Sequence, residues 1–500
     1  MRPLRRGRVM WPGRLGSDVE QLSGLDGAFL AMETRSVFGH VGSVCIVDTG
    51  VTPGAEPGLT LDHLTRVIES RLPLVPLFRR RLVTVPLGLD HPYWIEDPDF
   101  DIAFHVRELA LPAPGNDRQL TDQVARLHSR PLDRGRPLWE LYLITGLGGG
   151  RAAIYSKIHH AAIDGVSGGD ILTSVLDPTP QGRDLPPVEA FEGERPPDPL
   201  WLLARSAVSL AFQPMQAAKV VADLARSIPV LANAIGPPLA QRLTGKESGD
   251  LLSQTGLRAP GTPFNAPLSR HRRCAFTDLP LAEVKALRGG SGRPGLTVND
   301  VVMALCAGAL RRWLQLHDAL PDAPLIAAVP VSVRTRDQKG TYGNQVSMML
   351  AALPTNLSDA GVRLGAMHEA MRAAKDQHGA ISANLLADVT QFAMPALANQ
   401  AWRLSARLRL MERVSPFNLI VSNIPGPRVP LYLAGAEVLS YHPVSALVDG
   451  QGLNITVMSY RGNLYFGLIA CRRLVPDLEV MAGYLREELD ALTAAANSAE

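Results

Sequence analysis

The sequence predicts a two-domain protein of mixed α/β class. Its 500 residues exceed one ordinary domain and fit two or three. Hydrophobic residues make up 46% and charged residues 20%, enough apolar material for large cores. Helix-like and strand-like apolar patterns also alternate on both sides of a proline-rich break. The expected layout is a basic, disordered extension at 1–21, a first half at 22–180, a linker with amphipathic helices at 181–265, and a second half at 266–500.

The elements follow in order. Arg2, Arg5, Arg6, Arg8 and Arg14 precede the first acid, Asp18, with no apolar run long enough for a signal peptide; Met10 or a later codon is an alternative start. Leu61, Leu64, Val67, Ile68 and Leu72 keep helical spacing until Pro73. Leu120, Val124 and Leu127 mark a second helix. Leu141–Leu147 and Ala152–Ile158 read as a hairpin turning at Gly148-Gly149-Gly150. That glycine run is no phosphate loop, because no Lys-Ser/Thr follows and the next element is a strand.

From Asp177 onward, Pro178, Pro180, Pro186, Pro187, Pro196, Pro197 and Pro199 exclude regular structure. Leu200–Ile235 then reads as one or two amphipathic helices, with Arg205, Lys219, Asp223 and Arg226 on the wet side. Such a helix packs across two domains or lies on a lipid surface. Further on, Thr297-Val-Asn-Asp300 has the form of a capping box, opening a helix with Val302, Leu305, Cys306, Ala309, Leu310 and Trp313 on one face. Strands are expected at Ile326–Val333, Val346–Leu353 and Phe417–Val421. A hairpin, Leu453–Tyr460 with Leu464–Ala470, turns at Arg461-Gly462-Asn463, and Leu478, Met481, Leu485, Leu489 and Leu492 belong to a closing helix.

Charge and cysteine usage exclude several classes. The net charge is +2, and without the five N-terminal arginines the remainder is −3, so no nucleic-acid partner is expected. Cys45, Cys274, Cys306 and Cys471 show neither a CxxC pair nor metal-ligand spacing and read as reduced structural thiols. No apolar run approaches the roughly 20 residues of a membrane span; Ser206–Ala218 and Ser227–Gln241 are short and interrupted by proline.

His159-His160-Ala-Ala-Ile-Asp164-Gly165 spells HHxxxDG. Its chance occurrence in a chain this long is on the order of one in a thousand. It closes a hydrophobic strand, and a helix with Val166, Ile171, Leu172 and Val175 is expected to follow. Strand ends hold side chains rigidly at the edge of a pocket. Imidazole titrates near neutrality, so one histidine can take a proton from an alcohol. Adjacent strand residues face opposite ways, so only one faces a given cleft. The base is assigned to His160; His159 packs or hydrogen-bonds on the other side. Asp164 suits a loop-locking salt bridge, and Gly165 allows the tight backbone. A metal reading lacks a third ligand, so no metal is expected. An Hx4D match, His159 to Asp164, leaves the second histidine and the glycine unused.

The motif resembles the CoA-dependent acyltransferase superfamily, which includes chloramphenicol acetyltransferase, carnitine acyltransferases, peptide-synthetase condensation domains and bacterial wax ester synthase/diacylglycerol acyltransferases. Further segments are similar to the last group, in family order: Leu22-Ser-Gly-Leu-Asp26-Gly-Ala-Phe-Leu30, Pro137-Leu138-Trp139-Glu140, Thr297-Val298-Asn299-Asp300, Val329-Pro330-Val331-Ser332-Val333-Arg334 and Ser422-Asn423-Ile424-Pro425-Gly426-Pro427.

The resemblance implies two chloramphenicol-acetyltransferase-like domains with a tunnel between them, joined by the proline-rich, partly helical linker. It implies acyl-CoA as co-substrate, no bound cofactor, and diacylglycerol or a fatty alcohol as acceptor. The setting would be cytoplasmic, at a membrane surface or lipid droplet. Asn299, at a helix N-terminus, is the oxyanion candidate. Asp300, Trp139, Ser422 and Asn423 are further oxyanion or substrate-binding candidates, and Arg334 a salt-bridge partner for Asp164. Core packing competes for Trp139, a rigid turn for Ser422-Asn423, and simple anchoring of the N-terminal segment for Asp26 and Phe29. A wax ester synthase, a low-activity lipid-binding paralogue and a condensation domain are the competing functional readings.

Overall fold

Period-two alternation along the first hairpin feeds two cores at once. In Trp139–Leu147 the side chains of Trp139, Leu141 and Leu143 join one core with Leu64 and Ile68. Tyr142 and Ile144 join another with Leu120, Val124 and Leu127 on the opposite face. The helices expected in this half supply those partners. Leu61–Arg71 is capped by Thr60, and Asp117–His128 by an Asn116–Gln119 capping box. The second strand of the hairpin, Arg151–His159, ends at the histidine pair.

The computed structural model describes residues 9–10, 18–50, 59–163, 174–185, 193–207, 259–290, 294–332, 346–378 and 415–498. Two six-stranded sheets dominate. The N-terminal sheet runs Tyr432–Leu433, Ala436–Val444, His40–Asp48, Arg151–His159, Trp139–Leu147, Val106–Ala110. The C-terminal sheet runs Val346–Leu353, Leu325–Ser332, Leu419–Ile424, Leu453–Tyr460, Asn463–Cys471, Arg272–Pro280. A small third sheet contains Asp18–Gln21, Tyr93–Glu96 and Arg80–Val83.

The chain does not part into two sheets at residue 266. Ala436–Val444 leaves the C-terminal half and pairs antiparallel with His40–Asp48, from Val438 opposite Val47 to Val444 opposite Gly42. It crosses Asn463–Cys471 so closely that a Cβ on Gly467 would lie 1.6 Å from the Pro443 carbonyl oxygen, so only glycine fits there. This exchanged strand is one tie between the halves.

In the C-terminal half the Thr297–Asp300 capping box forms with both of its hydrogen bonds, opening the helix Val298–Leu316. Its residues from Asp300 to Leu310 are all buried, in the largest core of the molecule. The hairpin turns at Arg461 and Gly462, both at positive φ, and the closing helix is Leu478–Asn497. All four cysteines are buried and free; burial pushes the thiols of Cys45, Cys274 and Cys306 up to about 12. Residues 199–207 are helical, and the rest of the Leu200–Ile235 segment lies outside the described residues.

Candidate active site

The strand Arg151–His159 runs straight into a 3-10 turn, His160–Ile163, and this bend separates the two imidazoles. His159 is buried, with a polar neighbour at each ring nitrogen. Nδ1 accepts the Ala161 N–H at 3.1 Å, which leaves the proton on Nε2. Nε2 lies 3.2 Å from Glu33 Oε1, in close contact but off the line of a linear hydrogen bond. His160 is only half-buried. Its ring stacks on Phe29 of the helix Gly24–Met32 at 3.9 Å, and its backbone N–H donates to the Gly39 carbonyl at 2.8 Å.

Glu33 is the hub beneath this turn. One carboxylate oxygen accepts the Gly39 N–H at 2.8 Å, and the other faces Arg134 Nη2 at 2.6 Å. Burial pushes this carboxyl up, but His159, the Gly39 amide and Arg134 outweigh it and hold it at about 2. Gly39 must be glycine, because a Cβ there would lie 2.6 Å from His159 Nε2 and 3.2 Å from the Phe29 carbonyl oxygen.

A second polar layer backs the first. His40 sits opposite His159 in the strand register and is fully buried, with Nε2 2.8 Å from the His128 carbonyl. Burial, with His128 and Lys157 close by, holds its pKa well below the usual range, so it is neutral at physiological pH. Lys157, two residues before His159, pairs with Glu140 at 2.7 Å and is 1% exposed. It also donates to the carbonyls of Leu127 and Arg130, and Glu140 accepts from the Tyr142 hydroxyl at 3.0 Å.

The other sequence candidates separate into groups. Asn299 and Asn423 come together: Asn423 Nδ2 donates to Asn299 Oδ1 at 3.2 Å, joining the first turn of Val298–Leu316 to the strand Leu419–Ile424. Ser422 is on the same strand, ahead of Pro425-Gly426-Pro427. Gly426 donates to Ser459 Oγ at 3.1 Å, and a Cβ on it would lie 2.1 Å from the Ser459 carbonyl oxygen.

Two further candidates are buried. Trp139 packs in a core cluster: its ring stacks between Phe78 and His105, and its indole N–H donates to the Phe78 carbonyl at 2.7 Å. Asp300 belongs to the helix-capping box. It accepts the Thr297 N–H at 2.9 Å, pairs with His368 at 2.8 Å and is 1% exposed. Asp164, Gly165 and Arg334, together with the helix expected through Val166, Ile171 and Leu172, lie outside the described residues.

Sequence reasoning missed Glu33, Gly39 and Arg134. Glu33 is one of 48 acidic residues and belongs to no quoted motif. Its role follows from the pairing of His40–Asp48 with Arg151–His159, which brings the segment before His40 against His159.

Comparison with known proteins follows the same outline. A family described as the wax ester synthase/diacylglycerol acyltransferase catalytic domain matches residues 22–302, and its C-terminal domain matches residues 342–493. A Mycobacterium tuberculosis protein provisionally named a diacylglycerol O-acyltransferase is 38% identical over 478 residues, covering 95% of this chain and 90% of its own. A second from the same species, named likewise, is 37% identical over 480 residues, covering 94% and 99%. The solved wax ester synthase/diacylglycerol acyltransferase of Marinobacter aquaeolei VT8 superposes with a TM-score of 0.65 at 30% identity, over 96% of this chain and 100% of that one. At 16% identity and a TM-score of 0.53, a condensation domain of the calcium-dependent antibiotic synthetase, aligned over 95% of this chain and 96% of its own, shares the fold alone.

Proposed function

This chain belongs to the wax ester synthase/diacylglycerol acyltransferase family, and from that premise we propose that it makes triacylglycerol from diacylglycerol and long-chain acyl-CoA, with His160 as general base. The observation that carries the base assignment is the division between the two imidazoles. His159 is locked to Ala161 and Glu33, whereas His160 lies half-buried against Phe29.

Transfer is direct, without an acyl-enzyme. The His160 imidazole takes the acceptor hydroxyl proton as that oxygen bonds to the thioester carbonyl carbon, and negative charge gathers on the carbonyl oxygen. The carbon–sulfur bond then breaks, and the imidazolium returns the proton to the departing CoA sulfur, giving ester and free thiol. General-base help of this kind contributes about 10²–10⁴-fold. The Asn299–Asn423 pair, at a helix N-terminus, is the proposed source of oxyanion stabilisation. A salt bridge between Asp164 and Arg334, with Gly165 easing the turn, belongs to the same proposal.

Wax ester formation from long-chain alcohols is the second reading, because the matched Marinobacter protein carries both activities in its name. Labelled palmitoyl-CoA offered with dioleoylglycerol and with hexadecanol separates the two. Triacylglycerol exceeding wax ester, and lost in His160→Ala, supports the main reading; wax ester in excess promotes the second.

Peripheral contact with lipid completes the proposal. No helix among the described residues is long and apolar enough to cross a membrane. Leu87, at φ 60 in a tight turn, is 81% exposed, and Leu200 is 75% exposed. Their near neighbours Val85, Leu89, Trp201 and Leu202 belong to one apolar cluster, which supports a shared lipid-facing patch.

A further inference from the structure

Where the C-terminal end of the helix Asp117–His128 meets the start of the strand Arg272–Pro280 there is a cavity of about 480 Å³. Its wall carries six arginines (Arg126, Arg130, Arg270, Arg272, Arg273 and Arg472) and a single carboxylate, Asp122. The whole chain has a net charge of only +2, so this is a local concentration of positive charge rather than a basic protein. Arg273 spends its charge on Asp122 at 3.0 Å and Glu479 at 3.7 Å, and buried Arg272 donates to the carbonyls of Ser269 and Ser36. Among the described residues, the side chains of Arg126, Arg130, Arg270 and Arg472 meet no carboxylate, and all four are exposed. Four like charges around one hollow repel each other and gain most from a multivalent anion with planar or tetrahedral oxygens.

The position of the cavity links it to the histidines. The amide of Arg272 donates to Ser129 Oγ at 3.0 Å, so both halves of the molecule build the wall. His128, next to Ser129, holds His40 opposite His159. The Ser36 carbonyl that receives Arg272 lies between Glu33 and Gly39, the two residues that set the histidine turn.

We propose that this arginine-lined cavity holds the phosphate-bearing nucleotide end of the acyl-CoA donor, an assignment that rests on the acyl-CoA reading above. A hollow of this size matches a nucleotide-sized ligand. Its three phosphate groups offer the charge that four unpaired guanidinium groups call for.

The test compares wild type with the quadruple variant Arg126→Gln/Arg130→Gln/Arg270→Gln/Arg472→Gln, whose altered side chains make no hydrogen bond or ion pair among the described residues. Two donors are used: palmitoyl-CoA and S-palmitoyl-N-acetylcysteamine, which lacks the phosphates. The KM for palmitoyl-CoA should rise about tenfold or more relative to that for the phosphate-free thioester. Equal changes in both overturn the proposal. So does a variant that keeps its KM for palmitoyl-CoA but no longer floats with phosphatidylglycerol vesicles, which would assign the cavity to lipid headgroups. Calorimetry with adenosine 3′,5′-bisphosphate tests the cavity without turnover. Binding by wild type but not by the variant supports the site even if no ester forms, a result that would sink only the acyltransferase reading. No binding by wild type overturns the site itself.

Discussion

The histidine end of the N-terminal sheet and the amide end of the C-terminal sheet are built from different materials. Around His159–His160 the supports are mainly charged pairs, Glu33 with the exposed Arg134 and Lys157 buried with Glu140, with neutral, buried His40 behind them. Around Ser422–Asn423 the contact between the candidates is one neutral amide–amide bond, Asn423 to Asn299, and the charged group nearby in sequence, Asp300, caps its helix and pairs with His368 through one oxygen, while its buried Oδ1 has no hydrogen-bond partner among the described residues. Each end is tightened by a glycine with no room for a side chain, Gly39 in one and Gly426 in the other. The contrast suits a division of work. A proton acceptor needs its ring and charge state fixed by strong local fields, whereas a developing oxyanion needs neutral donors that do not attract it in the ground state.

Substitutions can break this comparison, beginning with the largest effect. Lys157→Met strands the buried Glu140 carboxylate and should cost about 3–5 kcal/mol in urea unfolding. A loss no larger than for a surface site would mean the ionic support is unimportant. Gly39→Ala drives a methyl group into His159 and should lower kcat about 10²-fold, measured on folded protein. An unchanged kcat would separate the histidine turn from catalysis.

Glu33→Gln keeps the shape but removes the charge, and kcat should fall about tenfold. Its stability profile carries a second signature. The Glu33 carboxyl is depressed from 4.5 to about 2, so its contribution is fully present above pH 4.5 and is lost as pH falls through about 2. Unfolding free energies at stepped acid pH should show that decline in wild type and not in the variant. Asn423→Ala, on the neutral side, should lower kcat by about three- to tenfold with little change in the acid limb. If its loss exceeded that of Glu33→Gln, the comparison would be reversed.

Much of this architecture is legible in the sequence because local periodicity dictates it. The hairpin ending at His159, the capping box at Thr297–Asp300 and the closing helix Leu478–Asn497 each carry their own pattern. What escapes is everything decided by pairing at long range. Nothing within Ala436–Val444 says that it will join the other half's sheet, and nothing near Glu33 announces His159, which is brought to it by strand register. For Trp139 and Asp300, a motif marks a residue without saying how deeply its side chain is buried, and both are 1–2% exposed. Strand alternation suggests that the two histidines face different ways, and in the structure the bend from the strand into the 3-10 turn at His160 separates them.

The most direct test is ester formation by purified His160→Ala with palmitoyl-CoA and dioleoylglycerol, beside wild type, with the fold of each checked by circular dichroism. Turnover lower by about 10²-fold or more in a folded protein is the result this account predicts. Turnover close to wild type would contradict it and move the base to another residue.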